Sequence, residues 1–429
     1  MKKENFILKT KILKKKAIVG LIGLGYVGLE LATLISKKKF NVLGFDKSLD
    51  KINLIKKNIS PIASVDNKKI SFLKKENLYT LSDIDKIKIC DIIIIALPTP
   101  LTKNELPDMS YLKSCMNDIL PFLRKEQMLI LESTVYPGAT IDIFGNIIKK
   151  KFKLGFNFNL CFSPERISPG KKLSYGYKDI PKIVSGYSKN CLNNVGLFYS
   201  KIFKTIFFTK SIEIAEFTKL YENAFRAVNI GFVNQMKIIT DKLGLDISEI
   251  INAASTKPFG FTPFSPGPGV GGHCIPIDPL FISYAAKKKK VSSEFINLAR
   301  NVNLRTTKWT INKIKNNLKK NSNLLILGVA YKKNIDDERE SPAIEIIQQL
   351  KSYYKISYYD PYIPLLKVGN IEYSSLSNFK YSNLKKFTCC VIVADHDCFD
   401  YKKIIKYSKK IFDTRRVLHS YKSSKVIYL

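Results

Sequence analysis

The sequence predicts an α/β protein in which two Rossmann-like, doubly wound domains are joined by a central helical region. A strand, a glycine-rich turn, a helix and a second strand follow one another between residues 17 and 46. Helical periodicity takes over from residue 211 to about 244, and a new strand–loop–helix unit begins at Asn323. A chain of 429 residues exceeds one ordinary hydrophobic core. We therefore expect three domains, at 1–210, 211–310 and 311–429.

The composition is that of a soluble globular protein. Hydrophobic residues make up 45% of the chain, the mean hydropathy is −0.06, and no apolar run has the length of a transmembrane helix. The basic N-terminus leads straight into a predicted strand, which is not the pattern of a signal peptide. We therefore expect a cytoplasmic protein without membrane insertion.

The formal net charge of +35 is extreme, and such a charge is one mark of nucleic-acid-binding proteins. Almost all of the basic residues are lysines, however, and they are scattered along the whole chain. This distribution favours a genome-wide codon bias over a binding surface, so we expect no nucleic-acid partner. The positive field would still attract anionic ligands such as nucleotides.

The eight cysteines are too sparse for a disulfide scaffold and include no C-x-x-C pair. We expect reduced thiols, most of them small buried hydrophobic residues, and no metal site. Cys274 differs because it lies in the glycine- and proline-rich segment from Phe264 to Pro279. Such a segment brings backbone amides close to a ligand, and Pro276 suits a first helical turn that would place Cys274 at a helix N-terminus.

The turn Gly23-Leu-Gly25-Tyr-Val-Gly28 is typical of a dinucleotide-binding site. Its glycines permit, in order, a tight turn, close approach to a pyrophosphate and close helix–strand packing. Asp46 ends the next predicted strand, where a carboxylate accepts hydrogen bonds from ribose hydroxyls and repels a 2′-phosphate. The pattern therefore predicts NAD as the cofactor. The expected NAD contacts also include Tyr26, Val27 and Lys51.

Three further predicted strands end in loops with polar side chains, where ligands bind in open parallel sheets. The first two loops contain Pro98-Thr99 and Ser133-Thr134, which we expect to contact cofactor or substrate. The alternative is that these hydroxyl groups only cap turns. The third loop contains Glu165-Arg166. This pair is either a surface ion pair or a carboxylate for water activation beside a guanidinium for an anion.

The two later regions carry their own candidate residues. Lys219 and Asn223 are four residues apart on the predicted helix and share a face, although a polar helix face alone would explain them. The central helices are also expected to form a dimer interface. After the strand that begins at Asn323, the turn supplies Lys332 and Arg339 without the full glycine pattern, which suits a phosphate ligand other than a second NAD.

Taken together, these motifs resemble the UDP-glucose/GDP-mannose dehydrogenase family over residues 17–416. The segment from Thr256 to Pro279 is similar to the branch that oxidises UDP-N-acetylhexosamines, especially UDP-N-acetylglucosamine. The UDP-glucose branch usually has a lysine where this chain has Ile277, and a second acid where it has Pro169. The motifs that carry the resemblance are Gly-Leu-Gly-Tyr-Val-Gly28, Leu-Pro-Thr99-Pro, Ser133-Thr134-Val, Ser-Pro-Glu165-Arg166, Lys219-Leu-Tyr-Glu-Asn223, Gly-Gly-His-Cys274-Ile-Pro-Ile-Asp278, Gly-Val-Ala-Tyr-Lys332-Lys, Arg339-Glu-Ser-Pro and Asp413-Thr-Arg415.

The resemblance implies a four-electron oxidation of a sugar C6 hydroxyl to the carboxylate by two NAD in sequence, for synthesis of surface polysaccharide precursors. Cys274 would form a thiohemiacetal and then a thioester, which water hydrolyses. Lys219 and Asn223 would stabilise the oxyanion. Asp278, Thr134 and Glu165 would orient the water or relay protons. His273 is a less favoured base for Cys274, because adjacent residues in an extended segment point opposite ways.

The resemblance also implies how the nucleotides are held. Arg339 would reach the NAD, and Lys257 would meet the nucleotide of a neighbouring subunit in a homodimer or higher homo-oligomer. The implied contacts to the UDP-sugar substrate are Glu165, Arg166, Lys219, Asn223, Lys257, Gly269, Gly271, Lys332 and Arg415.

Three alternatives stay open from the sequence. The same chemistry could act on UDP-N-acetylgalactosamine, UDP-N-acetylmannosamine or UDP-glucose. A two-electron dehydrogenase of a hydroxy acid could have the same Rossmann start and central helices, but it would not need Cys274 or a second nucleotide domain. A basic NAD-binding scaffold for nucleic acid would leave Lys219, Asn223, Cys274 and Asp278 without a purpose.

Overall fold

The computed structural model describes residues 4–62, 65–166 and 179–429, so that Pro169 lies outside the described residues. The chain divides into two compact units. The first comprises Met1–Glu222 with Leu280–Val291, and the second comprises Asn223–Pro279 with Ser292–Leu429. No helix in the described part of the chain combines the length and the apolar character needed to cross a membrane.

The first unit contains an eight-stranded sheet in the order β3-β2-β1-β4-β5-β6-β7-β8. All neighbouring strands are parallel except β6 and β7, which are antiparallel. The strands are β1 (Ile18–Ile22), β2 (Asn41–Asp46), β3 (Leu78–Thr80), β4 (Ile92–Ile95), β5 (Met128–Leu131), β6 (Asn159–Phe162), β7 (Lys182–Gly186) and β8 (Ile206–Phe208). Strands β4, β5 and β6 are buried along their whole length, as expected for the centre of a parallel sheet covered on both faces. Strand order reverses between β1 and β4, and the resulting switch point is where such sheets bind ligands.

Helices cover the first sheet and enclose its core. They are α1 (Glu4–Leu13), α2 (Tyr26–Lys37), α3 (Leu49–Lys56), α4 (Asn67–Ile70), α5 (Ser110–Ile119), α6 (Asn146–Ile148) and α7 (Lys189–Ser200). The sequence did not predict α1. Its Leu8 and Ile12 are buried in the same core cluster as Phe198 and Tyr199 of α7. Residues 4–13 of the basic N-terminal segment therefore form a structural helix of this unit.

Four helices of the described chain lie between the two sheets in sequence, and the longest is α8. They are α8 (Ile212–Leu243), α9 (Ile247–Ala254), α10 (Asp278–Lys288) and α11 (Glu294–Asn316). Within the second unit α8 and α11 pack closely. A Cβ on Gly231 of α8 would lie 3.1 Å from the Ala299 carbonyl oxygen. The Asn303 amide of α11 also donates to the Ala227 carbonyl oxygen at 3.1 Å.

The second unit contains a five-stranded, wholly parallel sheet in the order β10-β9-β13-β14-β15. Strands β11 and β12 form a separate antiparallel hairpin. The elements are β9 (Asn323–Leu327), α12 (Pro342–Leu350), β10 (Lys355–Tyr359), β11 (Leu365–Val368), β12 (Ile371–Ser374), β13 (Cys389–Ile392), α13 (Tyr401–Tyr407), β14 (Ile411–Asp413) and β15 (Val426–Tyr428). The predicted α/β class with two doubly wound sheets and intervening helices is confirmed.

Both sheets begin with the same device, a glycine turn held by an acid at the end of the next strand. Gly23 follows β1 with φ +95°, and Gly328 follows β9 with φ +76°. The Leu24 amide donates to Asp46 Oδ2 at 2.8 Å, and the Val329 amide donates to Asp360 Oδ2 at 2.7 Å. In each unit the turn is therefore fixed against the neighbouring strand.

We expect Gly328→Ala to destabilise the protein more than Gly369→Ala. Both glycines have positive φ, which costs a residue with a Cβ about 1–2 kcal/mol. A Cβ on Gly328 would in addition lie 2.5 Å from the Ala394 carbonyl oxygen, whereas a Cβ on Gly369 meets only the end of the Gln348 side chain at 3.4 Å. Urea unfolding should show a larger loss for Gly328→Ala by about 1 kcal/mol or more. Equal losses would contradict the close approach.

Candidate active site

The three glycines of the first turn have three different surroundings. A Cβ on Gly23 would lie 2.5 Å from the Ala96 carbonyl oxygen, and a Cβ on Gly28 would lie 1.8 Å from the Gly23 carbonyl oxygen. Gly25, by contrast, is the N-cap of α2 and has open space: within the described residues, no atom outside its chain neighbours comes within 4 Å of a Cβ placed there. The turn thus needs Gly23 and Gly28 for packing and leaves space at Gly25 that fits a pyrophosphate.

Asp46 is buried at the end of β2 and already has partners. Its two carboxylate oxygens accept from the Leu24 amide at 2.8 Å and from the Ser48 amide at 2.9 Å. The Lys51 ammonium lies 3.6 Å from Oδ2. A carboxylate has about four acceptor positions, so Asp46 holds the glycine turn and retains capacity for ribose hydroxyls. The open space at Gly25 and the acceptor capacity of Asp46 therefore fit the pyrophosphate and a ribose of NAD.

The other predicted NAD contacts lie close to this turn or follow the neighbouring strands. Tyr26 and Val27 are half-buried in the first turn of α2, and Pro98 and Thr99 come after β4. Ser133, directly after β5, is buried and accepts from the Leu97 amide at 2.9 Å. Its hydroxyl therefore joins the loops that follow β4 and β5. Thr134 is half-buried beside it.

Glu165 belongs to a buried charge cluster rather than to a surface pair with Arg166. The Lys182 ammonium lies 2.6 Å from Glu132 Oε2 and 3.7 Å from Glu165 Oε2, and all three side chains are at most 5% exposed. The Tyr199 hydroxyl donates to the other Glu132 oxygen. Burial raises the pKa of Glu132, and the charge of Glu165 raises it further, against the opposing effect of Lys182. Lys182 is therefore the cation that lies between these two buried carboxyl groups.

Arg166 has separate partners. Its Nη1 donates to Glu222 Oε1 at 2.8 Å, and its Nη2 donates to the Pro181 carbonyl oxygen. The ion pair that the sequence allowed for Arg166 thus forms with Glu222 of α8. This contact ties the loop after β6 to the helix that carries Lys219.

A second residue of α8 ties that helix to the loop after β5. The Glu216 carboxylate accepts from the Gly138 amide at 2.5 Å and from the Thr140 amide and hydroxyl at 2.9 and 2.6 Å. Burial raises the pKa of Glu216 to about 7, although these three hydrogen bonds favour its charged form. Glu216 lies one turn before Lys219, so it sets the position of that residue relative to the Ser133–Thr134 loop.

Cys274 begins a helical turn, as the sequence predicted. Its carbonyl oxygen accepts from the Ile277 amide at 3.2 Å and from the Asp278 amide at 2.8 Å, and α10 continues from Asp278. The thiol is half-buried. A helix N-terminus stabilises negative charge, and the predicted role of Cys274 as a thiolate stays a prediction.

The structure brings two predicted catalytic residues together, Asn223 and Asp278, and both are buried. The Asn223 amide nitrogen donates to Asp278 Oδ2, and Arg226 donates to the Asn223 amide oxygen. An amide has two N–H donors, so the asparagine can direct a second hydrogen bond elsewhere. Lys219 lies one turn earlier on α8 and is half-buried.

The glycines before Cys274 pack tightly within the second unit. Gly269 has φ +141°, and a Cβ there would lie 2.2 Å from Thr307 Oγ1. A Cβ on Gly271 would lie 2.6 Å from the Glu340 carbonyl oxygen, and one on Gly272 would lie 2.7 Å from the Tyr331 ring. Close packing alone is therefore enough to require glycine at these three positions. The predicted substrate contacts of Gly269 and Gly271 stay predictions.

The predicted nucleotide-binding cations of the second unit follow its parallel strands. Lys332 comes after β9 and is half-buried. Arg415 comes after β14, and its Nε donates to the Val393 carbonyl oxygen at 2.7 Å. Arg339 binds Asp337 through Nε at 2.8 Å and Nη2 at 2.5 Å. Lys257 is exposed, with its ammonium 4.8 Å from the Phe259 ring centre.

Comparison with known proteins yields matches along nearly the whole chain. Sequence models of the UDP-glucose/GDP-mannose dehydrogenase family match residues 17–206 (NAD binding domain), 213–305 (central domain) and 325–420 (UDP binding domain). Protein CapL of Staphylococcus aureus is 32% identical over 94% of this chain and 96% of its own length. The UDP-N-acetyl-D-glucosamine 6-dehydrogenase of Pseudomonas aeruginosa is 32% identical over 80% and 83%. A solved UDP-D-ManNAc dehydrogenase from Pyrococcus horikoshii has a TM-score of 0.83 at 27% identity and covers 96% of this chain and 98% of its own.

We expect Gly25→Ala and Gly28→Ala to separate NAD binding from folding. Gly25 has φ −83°, which alanine adopts, and its Cβ would enter open space. This variant should keep its unfolding free energy within about 0.5 kcal/mol and lose NAD affinity by about tenfold or more, equivalent to 1.4 kcal/mol. Gly28→Ala should lose stability as well, because its Cβ meets the Gly23 carbonyl oxygen. Calorimetric titration with NAD and thermal unfolding measure the two effects. Unchanged NAD affinity in Gly25→Ala would contradict the assignment.

We expect Lys182→Met to lose about 3–5 kcal/mol of stability at neutral pH, because it leaves two buried carboxyl groups without their cation. The loss should shrink as the pH falls, since a protonated glutamic acid needs no counter-charge. Lys204→Met is the matched control. Lys204 pairs with Asp179 at the surface, so its loss should stay below about 1 kcal/mol. Equal losses in urea unfolding would contradict the buried cluster.

Proposed function

Because the chain belongs to the UDP-glucose/GDP-mannose dehydrogenase family, we propose that it oxidises C6 of a UDP-N-acetylhexosamine from alcohol to carboxylate, with UDP-N-acetylglucosamine as the substrate. Family membership establishes the enzyme class, an NAD-dependent nucleotide-sugar dehydrogenase, and NAD as the cofactor. The product would be a uronic acid for surface polysaccharide synthesis, made in the cytoplasm.

One observation carries the proposal of covalent catalysis. A half-buried thiol at Cys274 begins the helical turn that ends at Asp278, and the buried Asp278 carboxylate is bound by Asn223. This places a nucleophile, an acid and an amide donor in one local arrangement. An alcohol dehydrogenase that stops after two electrons needs no such nucleophile, so the arrangement favours the four-electron reaction.

In the proposed mechanism, the Gly23–Gly28 turn and Asp46 would hold NAD, which would supply the hydride acceptor for each of the two oxidations at C6. The Cys274 thiolate adds to the C6 aldehyde and forms a carbon–sulfur bond, and the carbonyl oxygen becomes an alkoxide. Oxidation of this thiohemiacetal yields a thioester. Water then attacks the thioester carbon and releases the carboxylate, which restores the Cys274 thiolate. Covalent capture in this way prevents release of the aldehyde.

The remaining polar residues stabilise charge and direct water. The second N–H of Asn223 and the Lys219 ammonium would donate to the C6 alkoxide, and loss of one such donor typically reduces the rate by about 10²–10³-fold. Asp278 and Thr134 would orient the attacking water. Glu165 would accept its proton, and the Lys182 ammonium lies 3.7 Å from Glu165 Oε2.

Nucleotide binding is divided between the two ends of the chain in this proposal. The NAD-binding, dimerisation and UDP-binding roles would fall to residues 1–210, 211–310 and 311–429. Arg339 would reach the NAD once its guanidinium, now paired with Asp337, is shared or released. The proposed contacts to the UDP-sugar are Arg166, Lys257, Gly269, Gly271, Lys332 and Arg415.

We also propose a homodimer. Apolar side chains are exposed on helices α8 and α11, among them Phe232 of α8 (60% exposed) and Phe295 of α11 (69% exposed). A second copy of the same chain would remove these surfaces from water.

The choice of sugar rests on fewer residues. Ile277, half-buried in the turn after Cys274, lacks the charge that the UDP-glucose branch has there. The Pseudomonas relative supports UDP-N-acetylglucosamine, whereas the fold similarity to the Pyrococcus enzyme keeps UDP-N-acetylmannosamine as the second candidate. UDP-N-acetylgalactosamine and UDP-glucose complete the panel that should be assayed.

We expect two NADH per UDP-N-acetylglucosamine consumed, measured by absorbance at a single wavelength. Cys274→Ala should abolish uronic acid formation, and Cys274→Ser should accumulate partly oxidised product, because an oxygen ester or hemiacetal turns over less readily. Cys398→Ala is the matched control, since Cys398 is the exposed cysteine of this chain, and it should retain full activity.

Two results would contradict the proposal. One is a single NADH per sugar with free aldehyde as the product. The other is uronic acid formation that survives Cys274→Ala. Turnover of another UDP-sugar in place of UDP-N-acetylglucosamine would correct the substrate and leave the mechanism intact.

A further inference from the structure

Lys237 of α8 is a buried cation with an unusual set of neighbours. Its side chain is almost fully buried, its ammonium donates to the Gly267 carbonyl oxygen at 2.8 Å, and it lies 4.9 Å from the Trp309 ring centre. Among the residues that the structure describes, no carboxylate oxygen lies within 4 Å of this ammonium. Asp241, one turn further along α8, is 2.5 Å from Lys313 instead.

This burial is unfavourable for the charged form of Lys237. Loss of water around the ammonium and the nearby positive charges of Arg415 and Arg416 lower the pKa of Lys237 to about 7, against the weaker opposing effect of Asp241. Between pH 7 and 10.5 the unfolded chain therefore binds the proton more strongly than the folded protein does. Lys237 thus reduces stability at neutral pH, and perturbed groups of this kind cluster at functional sites.

The position of Lys237 connects it to the loop that carries Cys274. Asn234, one turn earlier on α8, accepts from the Gly267 amide at 2.9 Å. Lys237 and Asn234 thus bind both polar groups of Gly267. From the other side, Arg415 Nη1 lies 2.8 Å from the place that a Cβ on Gly267 would take. Two cations therefore approach one glycine.

The charged groups around Lys237 come from each element that packs on it. Asp241 lies on its own helix, Lys313 lies on α11 beside Trp309, and Arg415 and Arg416 follow β14. Arg416 binds Asp246, and Lys313 binds Asp241. These carboxylates are already paired, and Asp395 and Asp413 lie near Arg415, so the positive charge of Lys237 is the one that an anion beside Gly267 would complement best.

We propose that Lys237 is a ligand-linked cation of the nucleotide site: the diphosphate of the UDP moiety binds beside Gly267 and Arg415, and Lys237 takes up a proton from solvent as it binds. The inference rests on the proposed function for the placement of UDP near Arg415. It assigns Lys237 a role in binding, and it gives Asn234 the role of a positioning residue for the loop.

The proposal predicts how affinity depends on pH. Below about pH 7 Lys237 is charged in the free protein, so binding takes up no proton there. Above pH 7 the free protein must gain the proton on binding. The apparent Kd for the ligand then rises by up to about tenfold per pH unit until the pKa of Lys237 in the complex is reached.

Calorimetric titration of the full-length protein tests this dependence. The ligand is UDP-N-acetylglucosamine, whose diphosphate group does not titrate in this range. NAD is left out of these titrations. Titrations at pH 6 and pH 8, each in two buffers of different ionisation enthalpy, count the protons taken up. The wild-type protein should take up almost none at pH 6 and close to one at pH 8.

Lys237→Met should abolish the uptake at pH 8 and weaken binding at pH 6 by about tenfold or more, equivalent to 1.4 kcal/mol. It should also melt at a higher temperature at pH 7, since it removes a buried charge, and this confirms that the variant is folded. Lys242→Met is the matched control, because Lys242 is exposed on the same helix and should behave as wild type. The wild-type proton count needs no variant at all.

The outcomes separate this inference from the proposed function. Uptake that persists in Lys237→Met, or its absence in the wild type at pH 8, would overturn the inference while NADH formation from the sugar stays intact. Equal uptake with uridine would overturn the diphosphate as the partner. Lys237-dependent uptake with UDP at pH 8 in a protein that oxidises no UDP-sugar would support the inference and refute the proposed function.

Discussion

The close approach of residues 267–272 to the rest of the second unit is the constraint on which the candidate site depends. At Gly267, Gly269, Gly271 and Gly272 a single Cβ would come within 2.2–2.8 Å of Arg415, Thr307, Glu340 or Tyr331. The Gly272 amide also donates to the Arg339 carbonyl oxygen at 2.9 Å. Interiors are packed too densely to absorb such overlaps with a backbone carbonyl, a ring or a short side chain, so close packing requires glycine at Gly269, Gly271 and Gly272. Cys274 follows two residues later. The packing of this segment therefore fixes where the turn from Cys274 to Asp278 begins.

The two large sheets use the same strand–turn–acid arrangement for different purposes. Asp360 accepts from four backbone amides, those of Val329, Ala330, Tyr362 and Ile363. His396 accepts from the Asn334 amide through Nδ1, so its Nε2 carries the proton and donates to Asp360 at 3.1 Å. With five donors Asp360 has no acceptor position left for a ribose, whereas Asp46 has two amide donors. This difference explains in physical terms why the first turn suits a dinucleotide and the second does not.

Local features of the fold and site could be predicted from the sequence, because each depends on residues close together in the chain. The turn from Gly23 to Gly28, the acid at Asp46 and the helical turn after Cys274 are of this kind. The Glu132–Lys182 contact joins residues 50 apart, and Glu216 binds an amide 78 residues away. Such pairs depend on which strands become neighbours, as β5, β6 and β7 do. For that reason the sequence leaves the partner of Glu165 open, with Arg166 as one alternative, whereas in the structure the Lys182 ammonium lies 3.7 Å from Glu165 Oε2.

The buried lysines Lys182 and Lys237, one in each unit, differ in whether nearby carboxyl groups compensate their charge. Lys182 lies between two carboxyl groups and near the Tyr199 and Phe203 rings, so its charge is compensated within the protein. Lys237 has a carbonyl oxygen and an indole ring but no nearby carboxylate among the described residues, so its charge is not compensated by the protein alone. Burial of an uncompensated ammonium is unfavourable. It persists most readily where a bound anion supplies the missing charge, and in the proposed complex the diphosphate beside Gly267 would be that anion.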